Sequence, residues 1–229
     1  MSNLDSDKSF LLKPLRLRLS FRTDFIIFPI DYGDLRDSLV KHGYVPIAPP
    51  PTTQAVGVRL GAIGQIARKG DNSITFDPDR QIIGVDGVLT TEVIQVFDDL
   101  EQILIEELKI DLPNSVRFFE TLSEYRLITN KNPRNVFDKF PMMTDILDRI
   151  STVIGVDVSP FGFRVGSRGV VPNQEEWMDI RIEPVVVRAD SEYYIYPVYR
   201  SRDKEKVKKF LVSLEDILLK IVGILEEGA

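Results

Sequence analysis

Arginines are the residues of this chain whose positions suggest a chemical role. Eleven of them lie on predicted strands or at the ends of such strands, and five of these are the candidate contact residues: Arg16, Arg18, Arg59, Arg164 and Arg181. Few acids occur on the same segments, so a sheet face that carries these arginines is expected to be basic. Guanidinium groups bind phosphate and carboxylate oxygens through paired hydrogen bonds. We therefore predict that these five residues bind an anionic partner, either nucleic acid or an acidic protein surface.

Two other interpretations of the same residues stay open. Exposed strand faces commonly carry arginine and tyrosine for solubility and for protection of sheet edges. Two open faces could also pair with each other, which predicts a homodimer. Four tyrosines follow one another on a late strand and could stack on bases if the partner is nucleic acid: Tyr193, Tyr194, Tyr196 and Tyr199.

Residues for catalysis or metal binding are scarce. The chain has no cysteine, and its one histidine is His42, so neither a cysteine zinc site nor a serine-histidine pair is available. Asp77 and Asp79 flank a proline and are best explained as a turn. Three glycines have the wrong spacing for a phosphate-binding loop: Gly57, Gly61 and Gly64. We predict no metal and no cofactor, and we favour a non-enzymatic function.

Hydrophobic periodicity indicates the elements that position these arginines. Residues 15–22 alternate strictly, which predicts a strand with its leucines and Phe21 inward and with Arg16 and Arg18 outward. Residues 89–108 have apolar side chains at helical spacing and acids between them. A short helix is expected over residues 33–42, a strand over 55–69, and a hairpin around the turn at Asp77.

The second half of the chain repeats this order. We predict a strand over residues 115–129, a helix over 136–154 that is broken at Pro141, a strand over 161–171, and a hairpin of 177–188 with 192–200. A closing helix, capped by Asp203, follows. In the 136–154 helix, four residues are expected to face inward: Ile146, Leu147, Ile150 and Ile154.

Short sequence echoes suggest that the two halves are duplicates. Residues 100–104 read like 214–218, and residues 57–61 resemble 162–166. We predict an α+β fold made of two pseudo-repeats of β-α-β-β-β-α, residues 10–112 and 113–229, in one compact body. Its antiparallel sheet should carry the helices on one face. Residues 1–9 are expected to be disordered.

This duplicated order resembles the TATA-box-binding protein fold. The hairpin of residues 73–84 and the helix that follows look like that family's hairpin and closing helix. The resemblance implies a saddle-shaped sheet with helices on its convex side and a concave face that binds nucleic acid. In that family paired phenylalanines wedge between base steps. Phe76 would occupy such a place, whereas its counterpart in the second half, Val187, is not a wedge. The likeness concerns architecture, which does not carry function.

Composition limits the function classes further. The chain has 229 residues and a net charge of −6, which disfavours nucleic acid unless charge is segregated. It has no apolar run long enough to span a membrane, and its first residues lack the layout of a signal peptide, so we expect a cytoplasmic protein. The charge-rich composition without cysteine is typical of a thermophile. The alternatives to an anion-binding protein are a small-molecule binder or enzyme with a pocket between sheet and helices, and a homodimeric regulatory or assembly subunit.

Overall fold

A computed structural model describes residues 10–24, 30–47, 64–138, 144–171 and 174–227. The strands in this part of the chain are Leu11–Thr23 (β1), Val45–Pro46 (β2), Gly64–Lys69 (β3), Asn72–Asp77 (β4), Ile82–Gly87 (β5), Val116–Ile128 (β6), Phe163–Gly166 (β7), Trp177–Pro184 (β8) and Glu192–Ser201 (β9). They form one antiparallel sheet in the order β2-β3-β4-β5-β1-β6-β9-β8-β7. The fold is therefore α+β, as predicted.

Helices connect and cover these strands. In the described part of the chain they are Tyr32–Lys41 (α1), Thr90–Glu106 (α2), Leu112–Ser115 (α3), Pro133–Asp138 (α4), Thr144–Ile154 (α5) and Lys204–Glu227 (α6). The Asp31 carboxylate caps α1 by accepting hydrogen bonds from the backbone N–H groups of Gly33 and Asp34. Asp203 caps α6 in the same way, as predicted.

The core lies between the sheet and helices α2 and α6. Phe21 of β1 and Phe119 of β6 meet Phe97 of α2 edge-to-face, with ring centroids 5.9 to 6.4 Å apart. Leu100 and Leu214, which the sequence echo aligns, are both fully buried. Both helices thus pack on the same face of the sheet. The opposite face, which we call the open face, lies away from α2 and α6; on this face Arg200 donates a hydrogen bond to the backbone carbonyl of Gln174.

Strand β1 lies at the centre of the sheet and pairs with β5 on one side and β6 on the other. Leu17, Leu19 and Phe21 are fully buried, as the alternating pattern predicted. Leu15 is instead exposed, because a register shift between Pro14 and Arg16 interrupts the alternation at this residue. The inward orientation expected for Leu15 is therefore wrong.

Close packing of β1 against β5 explains one glycine. A Cβ on Gly84 would lie 2.5 Å from the Cβ of Ser20 and 2.7 Å from the carbonyl oxygen of Leu19. These distances are shorter than van der Waals contact, so only glycine fits at this point of the sheet.

Helix α5 contradicts its prediction. Its apolar spacing suggested that Ile146, Ile150 and Ile154 face the core, but all three are exposed. Leu147 is only partly buried, and none of residues 145–154 is buried. Amphipathic spacing shows that a helix has an apolar face, but it cannot say whether the same chain covers that face.

Several predicted boundaries also change. The strand expected over 161–171 is shorter, since β7 spans Phe163–Gly166, and β8 ends at Pro184 before a 3₁₀ turn at Val186–Arg188. Of the strand predicted over 55–69, only Gly64–Lys69 falls within the described residues. The echo at 57–61 and the terminal residues 1–9 lie outside them. The internal duplication therefore stays a prediction.

Candidate functional site

The open face carries four of the five predicted arginines. Residues that alternate with the buried ones point to this face, and on β1 these include Arg16 and Arg18. Arg164 of β7 and Arg181 of β8 alternate in the same way with buried or partly buried neighbours. Arg59 lies outside the described residues. The sheet therefore brings together arginines from three strands on one surface.

Arg16 and Arg18 converge on a single carboxylate from the neighbouring strand β5. Arg18 donates from Nε to Oδ1 of Asp86 at 2.7 Å and from Nη2 to Oδ2 at 2.8 Å. Arg16 donates from Nη2 to Oδ2 at 2.9 Å. Burial by itself raises the pKa of Asp86, but the two arginines outweigh it and hold the pKa below its ordinary value. The carboxylate is thus charged and held by both guanidinium groups.

A second cluster lies where β6, β9 and β8 meet. The Arg200 guanidinium carbon lies 4.1 Å from the ring centroid of Phe118 and 5.5 Å from that of Trp177. Its Nη2 lies 2.6 Å from Oε2 of Glu120. A guanidinium between two aromatic rings is stabilised by cation–π attraction. Trp177, the only tryptophan of the chain, is therefore part of the open face.

Arg164 and Arg181 are directly opposite each other in the register of β7 and β8. Arg164 donates two hydrogen bonds to Asp179, each at 2.8 Å. Arg181 lies 3.6 Å from a carboxylate oxygen of Glu183, and its guanidinium lies over the ring of Tyr196 at 5.4 Å. The side chains of Arg164 and Arg181 are 63% and 44% exposed, against 26% for Arg18.

These contacts correct the expectation that few acids offset the arginines. The acids come largely from neighbouring strands, as Asp86 does for Arg18, so a scan of each strand by itself misses them. One signal was available within a strand: Asp179 and Glu183 alternate with Arg181 on β8 and must share its face. The open face interleaves both signs of charge and is not uniformly basic.

The four tyrosines divide between the two faces of the sheet. Tyr193 is fully buried beneath the helices, and Tyr199 stacks on Phe210 of α6 at 4.6 Å. Tyr194 and Tyr196 lie on the open face. Burial and a 2.9 Å hydrogen bond to Glu124 raise the pKa of Tyr194 to about 12. Only two of the four tyrosines are thus available for stacking on this face.

Phe76 does not reach the open face either. It is buried on the helix side of β4, opposite Ile83 of β5. Val187 is highly exposed but belongs to the 3₁₀ turn between β8 and β9. The phenylalanine wedge expected from the resemblance to the TATA-box-binding protein fold therefore has no counterpart at Phe76.

Other candidate sites have structural explanations. His42 ends α1 and bonds to Glu107 at the end of α2, while Asp77 accepts a hydrogen bond from the backbone N–H of Arg80 in its turn. Within the described ranges, no group of three or more metal-ligating side chains occurs. Fully buried side chains such as Phe97 and Leu214 fill the described interface between the sheet and α2 and α6, which disfavours a pocket there.

Comparisons with known proteins add no family. Neither the models of protein families nor the curated proteins that were searched match this chain. Among the helices of the described residues, none combines the length and apolar character that a membrane-spanning helix needs.

Proposed function

We propose that the protein is a non-enzymatic binding protein that holds an acidic segment of another protein on its open face. Arg164 and Arg181 are the contact residues in this proposal. The observation that carries it is their position directly opposite each other on neighbouring strands. Like charges in this position destabilise a sheet. Asp179 and Glu183 offset part of this repulsion, and a partner carboxylate that bridges both guanidinium groups would offset more of it through charge-assisted hydrogen bonds.

Exposure supports the choice of these two arginines. Arg16 and Arg18 share three hydrogen bonds to Asp86, so a partner would have to displace that carboxylate before it could bind either of them. Arg164 is also bonded to a carboxylate, that of Asp179, but its side chain is 63% exposed, and Arg181 approaches Glu183 only at 3.6 Å. In this proposal Arg16 and Arg18 hold β1 to β5, and the more exposed pair at β7 and β8 receives the partner.

The surrounding charges favour a protein over nucleic acid. A nucleic acid carries a phosphate at every nucleotide, so its backbone would meet the carboxylates of Glu120 and Glu124 along β6 as well as the arginines. An acidic segment of a protein needs only one carboxylate at Arg164 and Arg181. Arginine, tryptophan and tyrosine are the residues that most often dominate protein–protein binding, and Arg181, Tyr196 and Trp177 lie together on this face.

Trp177 allows a direct test. Because it is the only tryptophan, its fluorescence reports the open face alone. We would titrate the protein with an acidic polypeptide, poly-glutamate, and with single- and double-stranded DNA and RNA, at low and moderate salt. The variant Arg164→Glu/Arg181→Glu removes the proposed contacts. Arg36→Glu, on the exposed side of α1, is the matched control for a change of charge.

The expected result is a change of Trp177 emission with poly-glutamate that weakens with salt. The double variant should lose at least about tenfold in affinity, since two charge-assisted contacts contribute more than about 1.4 kcal/mol. Arg36→Glu should bind like the wild type. Absence of binding to every polyanion at low salt refutes the proposal. Binding to nucleic acid alone, with the same dependence on Arg164 and Arg181, would assign the site to nucleic acid.

A further inference from the structure

Strand β7 forms one edge of the sheet. It pairs with β8 on one side, and no other described strand adjoins it. The N–H of Ser167, which directly follows β7, donates to the carbonyl oxygen of Met178 and continues the same register. Because every second residue of an antiparallel strand bonds to its partner strand, the N–H and C=O groups of Arg164 and Gly166 point away from β8. No described residue bonds to these backbone groups.

The two faces of this edge differ in chemistry. On the open face the exposed side chain of Arg164 lies opposite that of Arg181. On the helix side Phe163 and Val165 pack against the core but are only partly buried. Side chains of a strand point alternately to the two faces of its sheet. A strand added to this edge would therefore meet positive charge with one set of alternate residues and apolar surface with the other.

The charge of the edge disfavours a second copy of this chain as the added strand. If β7 paired over most of its length with β7 of another copy, the two Arg164 side chains would share one face, opposite or diagonal to each other. Like charges in such positions destabilise a sheet. Arg168, two residues beyond β7, is also exposed and has no ion pair in the described part of the chain. The edge thus favours a strand that carries negative charge.

We propose that an extended acidic segment of another protein adds to the sheet as a strand antiparallel to β7. This inference rests on the proposed function and specifies how its partner binds. Arg164 and Gly166 supply the backbone groups of the new ladder. An acidic residue directly opposite Arg164 lies on the open face and reaches Arg164 and Arg181, and apolar residues on either side of it cover Phe163 and Val165. Acidic and apolar residues therefore alternate in the partner segment. A nucleic acid has no peptide groups and cannot extend the sheet in this way.

Backbone methylation of a peptide tests the ladder. The probe is a fluorescently labelled peptide of alternating valine and glutamate, about seven residues long, which is the length of an ordinary strand. We would titrate it with the full chain, up to about 1 mM, and follow its fluorescence anisotropy. In the antiparallel arrangement the glutamates lie opposite Arg164 and Gly166, and their N–H groups point to β7. N-methylation of the glutamates should therefore weaken binding at least about tenfold, since more than one hydrogen bond is lost. A peptide N-methylated at its valines, whose N–H groups point to solvent, is the matched control and should bind like the unmodified peptide.

Gly166 allows the same test from the side of the protein. Gly166→Pro removes one outward N–H, and proline is tolerated on an edge strand where that N–H faces solvent. It should weaken binding about threefold to tenfold, the effect of one hydrogen bond. Gly166→Ala retains the N–H and should bind like the wild type, because its Cβ would lie 3.4 Å from the carbonyl oxygen of Met178, an ordinary contact. The methylated peptides are tested on the wild-type chain, so their result does not depend on how Gly166→Pro folds.

Hydrogen exchange locates the contact. The amides of Arg164 and Gly166 point to solvent in the free protein, and binding of the peptide should slow the exchange of both. Unchanged exchange in the complex, or equal binding of the glutamate-methylated peptide, overturns strand addition. Loss of binding with the valine-methylated peptide alone overturns the antiparallel arrangement, since a parallel strand bonds through those residues. Poly-glutamate binding that depends on Arg164 and Arg181 would in each case leave the proposed function standing. Absence of binding by both the peptide and poly-glutamate overturns the two proposals together.

Discussion

Asp86→Asn tests whether the interleaved charges of the open face stabilise the sheet. The carboxylate accepts three hydrogen bonds from Arg16 and Arg18, at 2.7 to 2.9 Å. An asparagine retains the shape but loses the charge, and its amide group points a donor at a guanidinium. Hydrogen bonds to charged groups contribute roughly 1.5–3 kcal/mol each. Because both arginines are partly exposed and can regain water, we expect a total loss of about 3 kcal/mol in the free energy of unfolding.

Urea denaturation at pH 7 measures this loss directly, and a thermal melt should show a decrease of the melting temperature on the order of 10 °C. Asp37→Asn is the matched control, because Asp37 is largely exposed and pairs with its neighbour Arg36. We expect it to stay within about 0.5 kcal/mol of the wild type. A double-mutant cycle of Asp86→Asn with Arg18→Gln should give a favourable coupling above about 1 kcal/mol.

The pH dependence provides a second measurement. Since the folded protein holds the pKa of Asp86 below its ordinary value, its stabilisation is complete above about pH 4, the pKa of an unfolded aspartate. It is lost as the pH falls through the lower pKa of the folded state. The difference between the wild type and Asp86→Asn should therefore shrink below about pH 4. A variant that unfolds within 0.5 kcal/mol of the wild type at neutral pH, about the effect of an ordinary surface change, would refute the reasoning.

Three further substitutions test the packing of the helices and the sheet. Leu214→Ala should lower the free energy of unfolding by about 2–5 kcal/mol, because Leu214 is fully buried. Val212 is exposed on the same helix, so Val212→Ala should lower it by less than about 0.5 kcal/mol. Equal losses of stability in the two variants would contradict the observed packing of α6. Gly84→Ala should lower the free energy of unfolding by about 1–3 kcal/mol, because the added Cβ would collide with β1. An unchanged midpoint of urea denaturation would show that the strands can move apart at this position. Glu101 lies 2.7 Å from Lys204, which lowers the pKa of the Glu101 carboxyl, but burial raises this pKa by more. The folded protein therefore loses stability as the pH rises through the raised pKa of Glu101. Glu101→Gln should then lie within about 1 kcal/mol of the wild type at pH 7, and a loss of about 3 kcal/mol or more would show that the ion pair dominates.

Regular periodicity predicted most elements correctly. The alternation in β1 and the helical spacing in α2 and α6 identified Leu17, Leu100 and Leu214 as core residues, and all three are fully buried. Such patterns are local, because a strand or helix that packs on one face repeats its apolar residues at a fixed period. The α+β class followed from the order of these patterns.

Local patterns were insufficient where another segment decides the environment. Helix α5 has a clear apolar face, yet whether that face is covered depends on what packs against it. Leu15 fits the alternation of β1, but the register shift that exposes it arises in the pairing of β1 with β6. Tyr193 and Tyr194 are a contrasting case: they are neighbours on one strand, so alternation by itself places them on opposite faces of the sheet.

The partners of the arginines depend most strongly on the tertiary structure. The amino-acid pattern was enough to place Arg18 on the outward side of its strand, because side chains alternate along any strand. It could not show that Asp86, which is 68 residues away in the chain, would lie beside Arg18. That proximity is set by the order and register of strands β5 and β1, which depend on how the whole sheet assembles over its core. For this reason the basic face expected from the sequence is a face of paired charges in the folded protein.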